Sequence, residues 1–553
     1  MTPTHDPITL EIYWSRLIAV ADEAASALLR TAFSTIIRES NDFVTCLLNA
    51  DGESLVECSG GVPTFAGLLG RTTRYLLTLF PAETWQPGDV LITNDPWIGT
   101  GHLPDISVIA PVFHLGKLVA FSASAAHTPD IGGTIGPNNK EIYEEGLRLP
   151  PLHLYRAGEP NQAVFDIIRA NVRLSELVMG DLDAQVAANR IGVRGALDFL
   201  TETGLPDFVA LSEEITAMSE TSMRAAIRAI PDGTYTSVVE ADGYGGQGTT
   251  IRCAITVAGD DMTIDYAGSS KQIVQAINCT LNYTIAYSIY PLKCLLDPFT
   301  RRNHGSYRPI TVTAPEGVIV NAAFPAAVAA RHMTGHLLSC AIYQALAPVM
   351  PEKVMADSGG APSLRVRFIG RQADGRPFGV NLFASAGMGA TATMDGLSTT
   401  AFPTNSGAGS LEAIEAASPL VFTRKEFRTD SGGPGAQRGG LGQICEIRNN
   451  SPYPCTVIII GDREEHPPLG LLGGGEGAPS RAFIDDVTPV ALKSRNTLPA
   501  GSRLALYFAG GGGYGDPKKR DRAAVARDLL EGKITAANAR DAYGYETREE
   551  EQA

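Results

Sequence analysis

Two pentapeptides in this sequence share the pattern His-x-Pro-Asp-Ile: His102-Leu103-Pro104-Asp105-Ile106 and His127-Thr128-Pro129-Asp130-Ile131. Chance rarely repeats such a pattern. Two imidazoles converging with one or two carboxylates form a donor set suited to manganese, zinc or iron, whereas calcium takes oxygen ligands. Asp42, in Arg38-Glu39-Ser40-Asn41-Asp42, is a further carboxylate expected at a strand mouth, where it could complete the set. The same histidines and aspartates could instead make turn and capping hydrogen bonds. The repeat alone leaves both uses open.

The elements around the repeat decide whether its two halves can meet. Ile106 to Phe113 and Leu118 to Ala125 read as strands joined by a turn at His114-Leu115-Gly116-Lys117. A hairpin centred there pairs residues whose numbers sum to roughly 231, which sets Asp105 opposite Ala126 and Pro104 opposite His127. Both motifs then converge on one sheet edge.

Three-to-four spacing of apolar residues predicts a long first helix from Thr9 to about Ile37. Phe43 to Leu48 and Ser54 to Cys58 read as a strand pair around Asn49-Ala50-Asp51-Gly52, and Val90 to Thr93 as another strand. Helical spacing returns over Gln162 to Leu200, Phe208 to Ala229 and Pro325 to Leu346. Thr234 to Tyr266, Thr456 to Ile460 and Ser502 to Phe508 read as strands. Two short amphipathic helices and a charged tail, Arg548 to Ala553, expected to fray, close the chain. The expected fold is mixed α+β, with a long N-terminal helix, mixed sheets and a glycine-rich, strand-dominated C-terminal region. The expected divisions are 1–200 for the α+β region bearing the repeat, 201–430 for a central α/β region, 431–516 for the glycine-rich region and 517–553 for a helical tail.

Other motifs are weaker. His332 and His336 lie at i and i+4 in an expected helix and share a face, yet Met333-Thr334-Gly335 between them lacks the glutamate of a metalloprotease motif. They could line a pocket or bind metal. Gly243-Tyr244-Gly245-Gly246-Gln247-Gly248 matches G-x-G-x-x-G, but Thr249 to Val257 reads as a strand where a dinucleotide site needs a helix. No G-x-x-x-x-G-K-[ST] or G-x-S-x-G occurs, which disfavours an ATP site of that kind and a nucleophile elbow. The C-terminal glycine runs could cradle an anion through backbone amides, with Arg438 and Arg463 as guanidinium candidates, or simply make tight turns.

With 45 basic against 60 acidic residues the net charge is −15, which argues against nucleic acid or an anionic membrane as partner. With 553 residues, 44% hydrophobic and 19% charged, the chain is long enough for several domains and balanced enough to fold. The eight cysteines are scattered without a CxxC pair, and no leader or membrane-spanning run is evident, so a reducing cytoplasm is the expected setting.

These residues also carry a family resemblance. Asn94-Asp95-Pro96, Gly101-His102-Leu103-Pro104-Asp105, Ala126-His127, Asp130-Ile131-Gly132-Gly133 and Glu144-Glu145-Gly146-Leu147 resemble the B-type chain of the hydantoinase and oxoprolinase family. The likeness continues in order through Gly180-Asp181-Leu182-Asp183-Ala184-Gln185, Arg438-Gly439-Gly440-Leu441-Gly442 and Gly510 to Asp516-Pro517, nearly the whole chain. The resemblance implies one divalent metal ion on His102, Asp105 and His127, with Asp42 a fourth ligand. It implies an A-type partner subunit, which holds ATP and phosphorylates a hydantoin, lactam or 5-oxoproline-like cyclic amide, in an assembly with two copies of each chain. This chain would then use a metal-bound water to hydrolyse the activated intermediate, with Asp130 or Glu145 moving a proton or orienting a ligand histidine. The alternatives are a subunit of an ATP-dependent ketone carboxylase using the same metal site, and a noncatalytic structural subunit. Thr128 departs from the pattern, since relatives often carry a histidine or aromatic there.

Overall fold

A 25-residue helix, Pro7–Thr31, opens the chain, capped by Asp6, whose side chain accepts from the Ile8 and Thr9 amides. It buries Leu10, Trp14, Leu17 and Leu28 along one face. The computed structural model describes residues 4–546 apart from 61, 63, 64, 66, 135 and 409, so the tail expected at Arg548 to Ala553 lies outside the described residues. The helix stops six residues short of the expected Ile37. The Phe33 and Ser34 amides donate to the Asp181 carboxylate at 2.7 and 3.0 Å, and the chain re-enters only a short helical turn at Thr35–Arg38.

The first sheet contains β1 (Phe43–Asn49), β2 (Ser54–Glu57), β3 (Val90–Thr93), β4 (Asp105–His114), β5 (Lys117–His127), β6 (Leu152–Arg156) and β7 (Glu159–Pro160). Its spatial order is β2-β1-β5-β4-β3-β6-β7, antiparallel throughout. The helix Ser175–Thr203 packs on β4 and β5, and its Gln185 and Asn189 amides donate to the Ile106 and Val108 carbonyls at 3.0 and 2.8 Å. Leu115 (φ 49°) and Gly116 (φ 77°) form the two-residue turn between β4 and β5, the left-handed pair that matches strand twist. The expected register is off by one. A bulge opposite Val112 and Phe113 leaves Val119 as an extra residue in β5, so Asp105 pairs directly with His127.

The second sheet has β8 (Gly233–Tyr244), β9 (Gln247–Ala258), β10 (Asp261–Asp265) and β11 (Ile310–Thr313), ordered β11-β10-β9-β8 with β10 and β11 parallel. The G-x-G-x-x-G match is the tip of the β8–β9 hairpin. Helices Leu281–Leu296 and Leu337–Leu346 pack together, the second also lying against β8 and β9. The helix expected from Pro325 starts only at His332. Before it, the Val328 and Ala329 amides donate to Glu145 at 2.7 and 2.8 Å, which holds that segment out of helical geometry.

The remaining strands are β12 (Arg365–Arg371), β13 (Pro377–Phe383), β14 (Leu420–Phe427), β15 (Gln443–Asn449), β16 (Cys455–Ile460), β17 (Arg481–Ile484), β18 (Thr488–Pro489), β19 (Lys493–Leu498) and β20 (Arg503–Tyr507). They form two sheets, β13-β12-β16-β19 and β14-β15-β20-β17-β18, around a shared core that includes Val366, Phe368, Val457, Leu504 and Leu506.

The glycine runs bind one another through their backbones. Gly511 donates to the Gly440 carbonyl at 2.9 Å and accepts from the Gly433 amide at 2.8 Å, and a Cβ on Gly511 would lie 2.0 Å from the Met388 carbonyl oxygen. Arg438 and Arg463, expected as anion contacts, are committed internally. Arg438 pairs with Asp528 at 3.2 Å, while buried Arg463 pairs with Asp357 at 3.4 Å and donates to the Ala361 carbonyl. Two helices, Arg522–Leu530 and Ala536–Tyr543, end the described chain over a small core of Val525, Ile534, Ala539 and Tyr543. The fold is mixed α+β with a long N-terminal helix. Among the described residues no helix is long and apolar enough to cross a membrane.

Candidate metal centre

The loop carrying His102 is held by the Asn94-Asp95 pair ahead of it. Asn94 donates to the Leu103 and Leu147 carbonyls at 2.8 and 2.9 Å and accepts from the Leu149 amide, while Asp95 pairs with Arg148. Asp105 begins β4 and His127 ends β5, directly across the ladder. Asp42 immediately precedes β1, and its carbonyl accepts the His127 amide at 3.0 Å. Sheet pairing therefore brings four residues of the repeat and its flank to one mouth.

His102 Nε2 and His127 Nδ1 both lie 2.8 Å from Asp105 Oδ1. His127 makes a hydrogen bond there; His102 Nε2 is buried without hydrogen-bond alignment to any described residue. The donor atoms of His102, Asp105 and His127 fall within 4.8 Å of one another. Two nitrogens crowding one carboxylate oxygen, one of them unsatisfied, fit the donor set of a divalent cation.

Arg331 Nη2 holds the other carboxylate oxygen, Asp105 Oδ2, at 2.8 Å, and its Nε donates to the Thr100 carbonyl. The guanidinium also stacks 4.2 Å above the Tyr283 ring. Burial opposes ionisation of Asp105, but the Arg331 guanidinium and the contacts of the two imidazoles together hold it well below the usual carboxylate range. Burial and then Arg331 push His102 down to about 3, so it is a neutral imidazole with a lone pair to offer. Burial raises Asp42, partly offset by His127.

Asp42, His102, Asp105 and His127 all line one cavity of about 110 Å³. Asp130 and Glu145 do not. The Asp130 carboxylate accepts from the amides of Gly132, Arg173 and Leu174 and pairs with the Arg173 guanidinium at 2.9 Å. That grip splits the helix expected over Gln162 to Leu200 into Gln162–Asn171 and Ser175–Thr203. Glu145 is 1% exposed; burial lifts its carboxyl to about 8 against the pull of its two amide donors, and its Oε2 meets no hydrogen-bond partner among the described residues. Through Ala329, whose carbonyl lies 3.5 Å from His102 Nδ1, Glu145 reaches the histidine one step removed.

The rest of the cavity comes from the second and third sheets' neighbourhoods. Tyr283, Tyr287, His332 and His336 line it from the helical side, and Arg365 and Arg367 from β12. His336 is committed: its Nδ1 accepts the Ser363 amide at 3.3 Å, so Nε2 carries the proton toward Tyr287 Oη at 2.9 Å. Sequence reasoning missed Arg331, Arg365 and Arg367. The one signal was the Arg365-Val366-Arg367 alternation, which puts both guanidiniums on the same strand face.

The family described as hydantoinase B/oxoprolinase matches residues 6–517. The B chain of a putative D-/L-hydantoinase from Pseudomonas sp. (strain NS671) is 32% identical, covering 98% of this chain and 95% of its own length. The crystal structure of an ATP-dependent caprolactamase from Pseudomonas jessenii superposes with a TM-score of 0.92 at 28% identity, over 98% of this chain and 97% of that one. A nucleotide-free acetone carboxylase structure gives 0.88 at 21% identity, over 98% and 80%, a likeness of fold alone. With the matched span taking in every segment that lines the cavity, this chain belongs to the hydantoinase B/oxoprolinase family.

Proposed function

We propose that this chain is the B-type subunit of an ATP-dependent enzyme that opens a cyclic amide of the hydantoin, lactam or 5-oxoproline class. ATP is held by a separate A-type subunit, which phosphorylates the ring carbonyl oxygen. The carrying observation is the buried His102, Asp105 and His127 cluster at a cavity wall. The names of the hydantoinase and caprolactamase relatives support the substrate class and the second subunit. A ring amide is a poor electrophile, and phosphorylation converts its oxygen into a leaving group.

His102, Asp105 and His127, with Asp42 beside them, would hold manganese, zinc or iron, which supplies Lewis acidity for attack at the activated carbon. The chain's own residues set up that chemistry. Arg331 keeps Asp105 ionised and occupies Oδ2, leaving Oδ1 toward the histidines. Burial keeps His102 unprotonated, so no proton competes for its lone pair. Glu145 fixes the Val328–Ala329 segment behind His102, and Asp130 anchors the helix junction at Arg173; both act by positioning. A ketone carboxylase would use the same residues, but its support here is likeness of fold. A noncatalytic subunit would have no use for the buried, unsatisfied His102 nitrogen.

Elemental analysis of the purified chain beside an Asp105→Ala, His127→Ala double variant tests the centre. About one transition-metal ion per chain, absent from the variant, is expected for a three-residue site. The coexpressed pair of subunits should then open a cyclic amide with ATP consumption, and mass photometry should give two copies of each chain. Turnover by this chain alone without ATP, or a metal content unaffected by the double substitution, would sink the reading.

A further inference from the structure

The metal-ligand candidates account for only part of the cavity wall, and the remainder has its own chemistry. His332 lines the cavity and is 8% exposed, yet its Nε2 hydrogen-bonds no described residue. Its neighbour on the same helical face, His336, is fully engaged by Ser363 and Tyr287, with the two rings 5.5 Å apart. Of a pair that looks equivalent in sequence, one member is structural and the other carries a buried nitrogen with no hydrogen-bond partner among the described residues. A buried polar atom left without a partner is costly, which marks it as a ligand contact.

Charge gives the ligand's class. The cavity is lined by Asp42 and Asp105 against Arg331, Arg365 and Arg367, three cationic groups to two acidic ones, before any metal cation is added. This cationic bias sits inside a chain of net charge −15. Arg331 is engaged by Asp105, and Arg365 and Arg367 stand together on one face of β12. A phosphoryl group carries about −1.5 to −2 at neutral pH and matches guanidinium forks. A planar carboxylate carries half that charge.

We propose that His332, Arg365 and Arg367 form a phosphoryl-binding subsite, with His332 Nε2 the direct hydrogen-bond donor to the bound oxyanion. The subsite deepens the proposed function and rests on the cavity being the reaction site, since it assigns the phosphorylated form of the substrate to this chain. Burial, followed by the charge of Arg365, holds the His332 imidazole well below its ordinary range, so it meets the anion as a neutral N–H donor. The phosphoryl group then rests beside the donor cluster without being one of its ligands.

The test is calorimetric titration of the full metal-loaded chain with inorganic phosphate and, separately, acetate. Wild-type chain should bind phosphate, with His332→Leu and Arg367→Met each about tenfold weaker, the worth of one charge-assisted hydrogen bond. His332→Gln, which keeps an N–H near Nε2, should retain most of the affinity, and metal content should be equal in all four proteins. Arg367 is only partly buried, so Arg367→Met decides the matter if the histidine variants do not fold. Phosphate binding unchanged in the variants overturns the subsite. Metal lost from both His332 variants overturns it too, making His332 a ligand. Acetate bound as tightly as phosphate and weakened in parallel reassigns the wall to a carboxylate. Probe binding needs no turnover, so phosphate affinity without opening of any cyclic amide would leave the subsite standing and sink the function.

Discussion

Glu145 shows how one buried carboxyl can make stability depend on pH in the opposite sense to most acids. Its folded value, about 8, lies above its ordinary 4.5. The folded state therefore binds the extra proton between those values. Its contribution is fully present below 4.5 and is lost as pH rises through about 8. Urea unfolding of wild type against Glu145→Gln should show the wild type losing stability relative to the variant across that window. Parallel pH profiles would place the charge elsewhere. Asp105 behaves in the usual direction, since its depressed folded value gives stability that is present above the ordinary carboxylate value and lost as pH falls below it.

Three buried acids also rewrite the helices. Asp181 ends the first helix by taking the Phe33 and Ser34 amides, Asp130 cuts a second at Arg173, and Glu145 delays a third by holding Val328 and Ala329. Each acid lies far along the chain from the amides it captures. Periodicity sees apolar spacing within a window, and so it ran the first helix past its end, joined two helices into one and started the third too early. The same blindness explains the register error, because a bulge at Val119 leaves no trace in a count from the turn. What was legible was local: the strand identities, the hairpin turn, the His-x-Pro-Asp-Ile repeat and the strand-mouth position of Asp42. The arginines of the cavity were not, because Arg331 meets Asp105 only through tertiary packing. Asp181→Ala should cost about 1–3 kcal/mol in urea unfolding, the desolvation of two orphaned amides. Leu115→Asn should stabilise the β4–β5 turn by about 1 kcal/mol, since a branched side chain at φ 49° is strained where asparagine is tolerated. An unchanged midpoint in either would refute its local account.

At the scale of the molecule, the glycine runs pack as backbone against backbone and join distant segments, with Gly387, Gly433 and Gly440 each meeting Gly511. A methyl group has no room there. Gly511→Ala, with its Cβ 2.0 Å from the Met388 oxygen, should lower stability by more than about 4 kcal/mol and lower the thermal midpoint. A midpoint within a degree or two of wild type would show that the layers can part.

The ion pair between Arg331 and Asp105 joins residues 226 positions apart. At a synthesis rate of about 5–20 residues per second, the arginine leaves the ribosome roughly 11 to 45 s after the aspartate. His102, Asp105 and His127 emerge close together on one hairpin, well ahead of it. For that interval the nascent carboxylate has both oxygens free, and a cation is the counter-charge within reach. On the reading proposed above, a metal present during translation meets an open hairpin, whereas one added to the finished chain meets an aspartate with one oxygen already claimed.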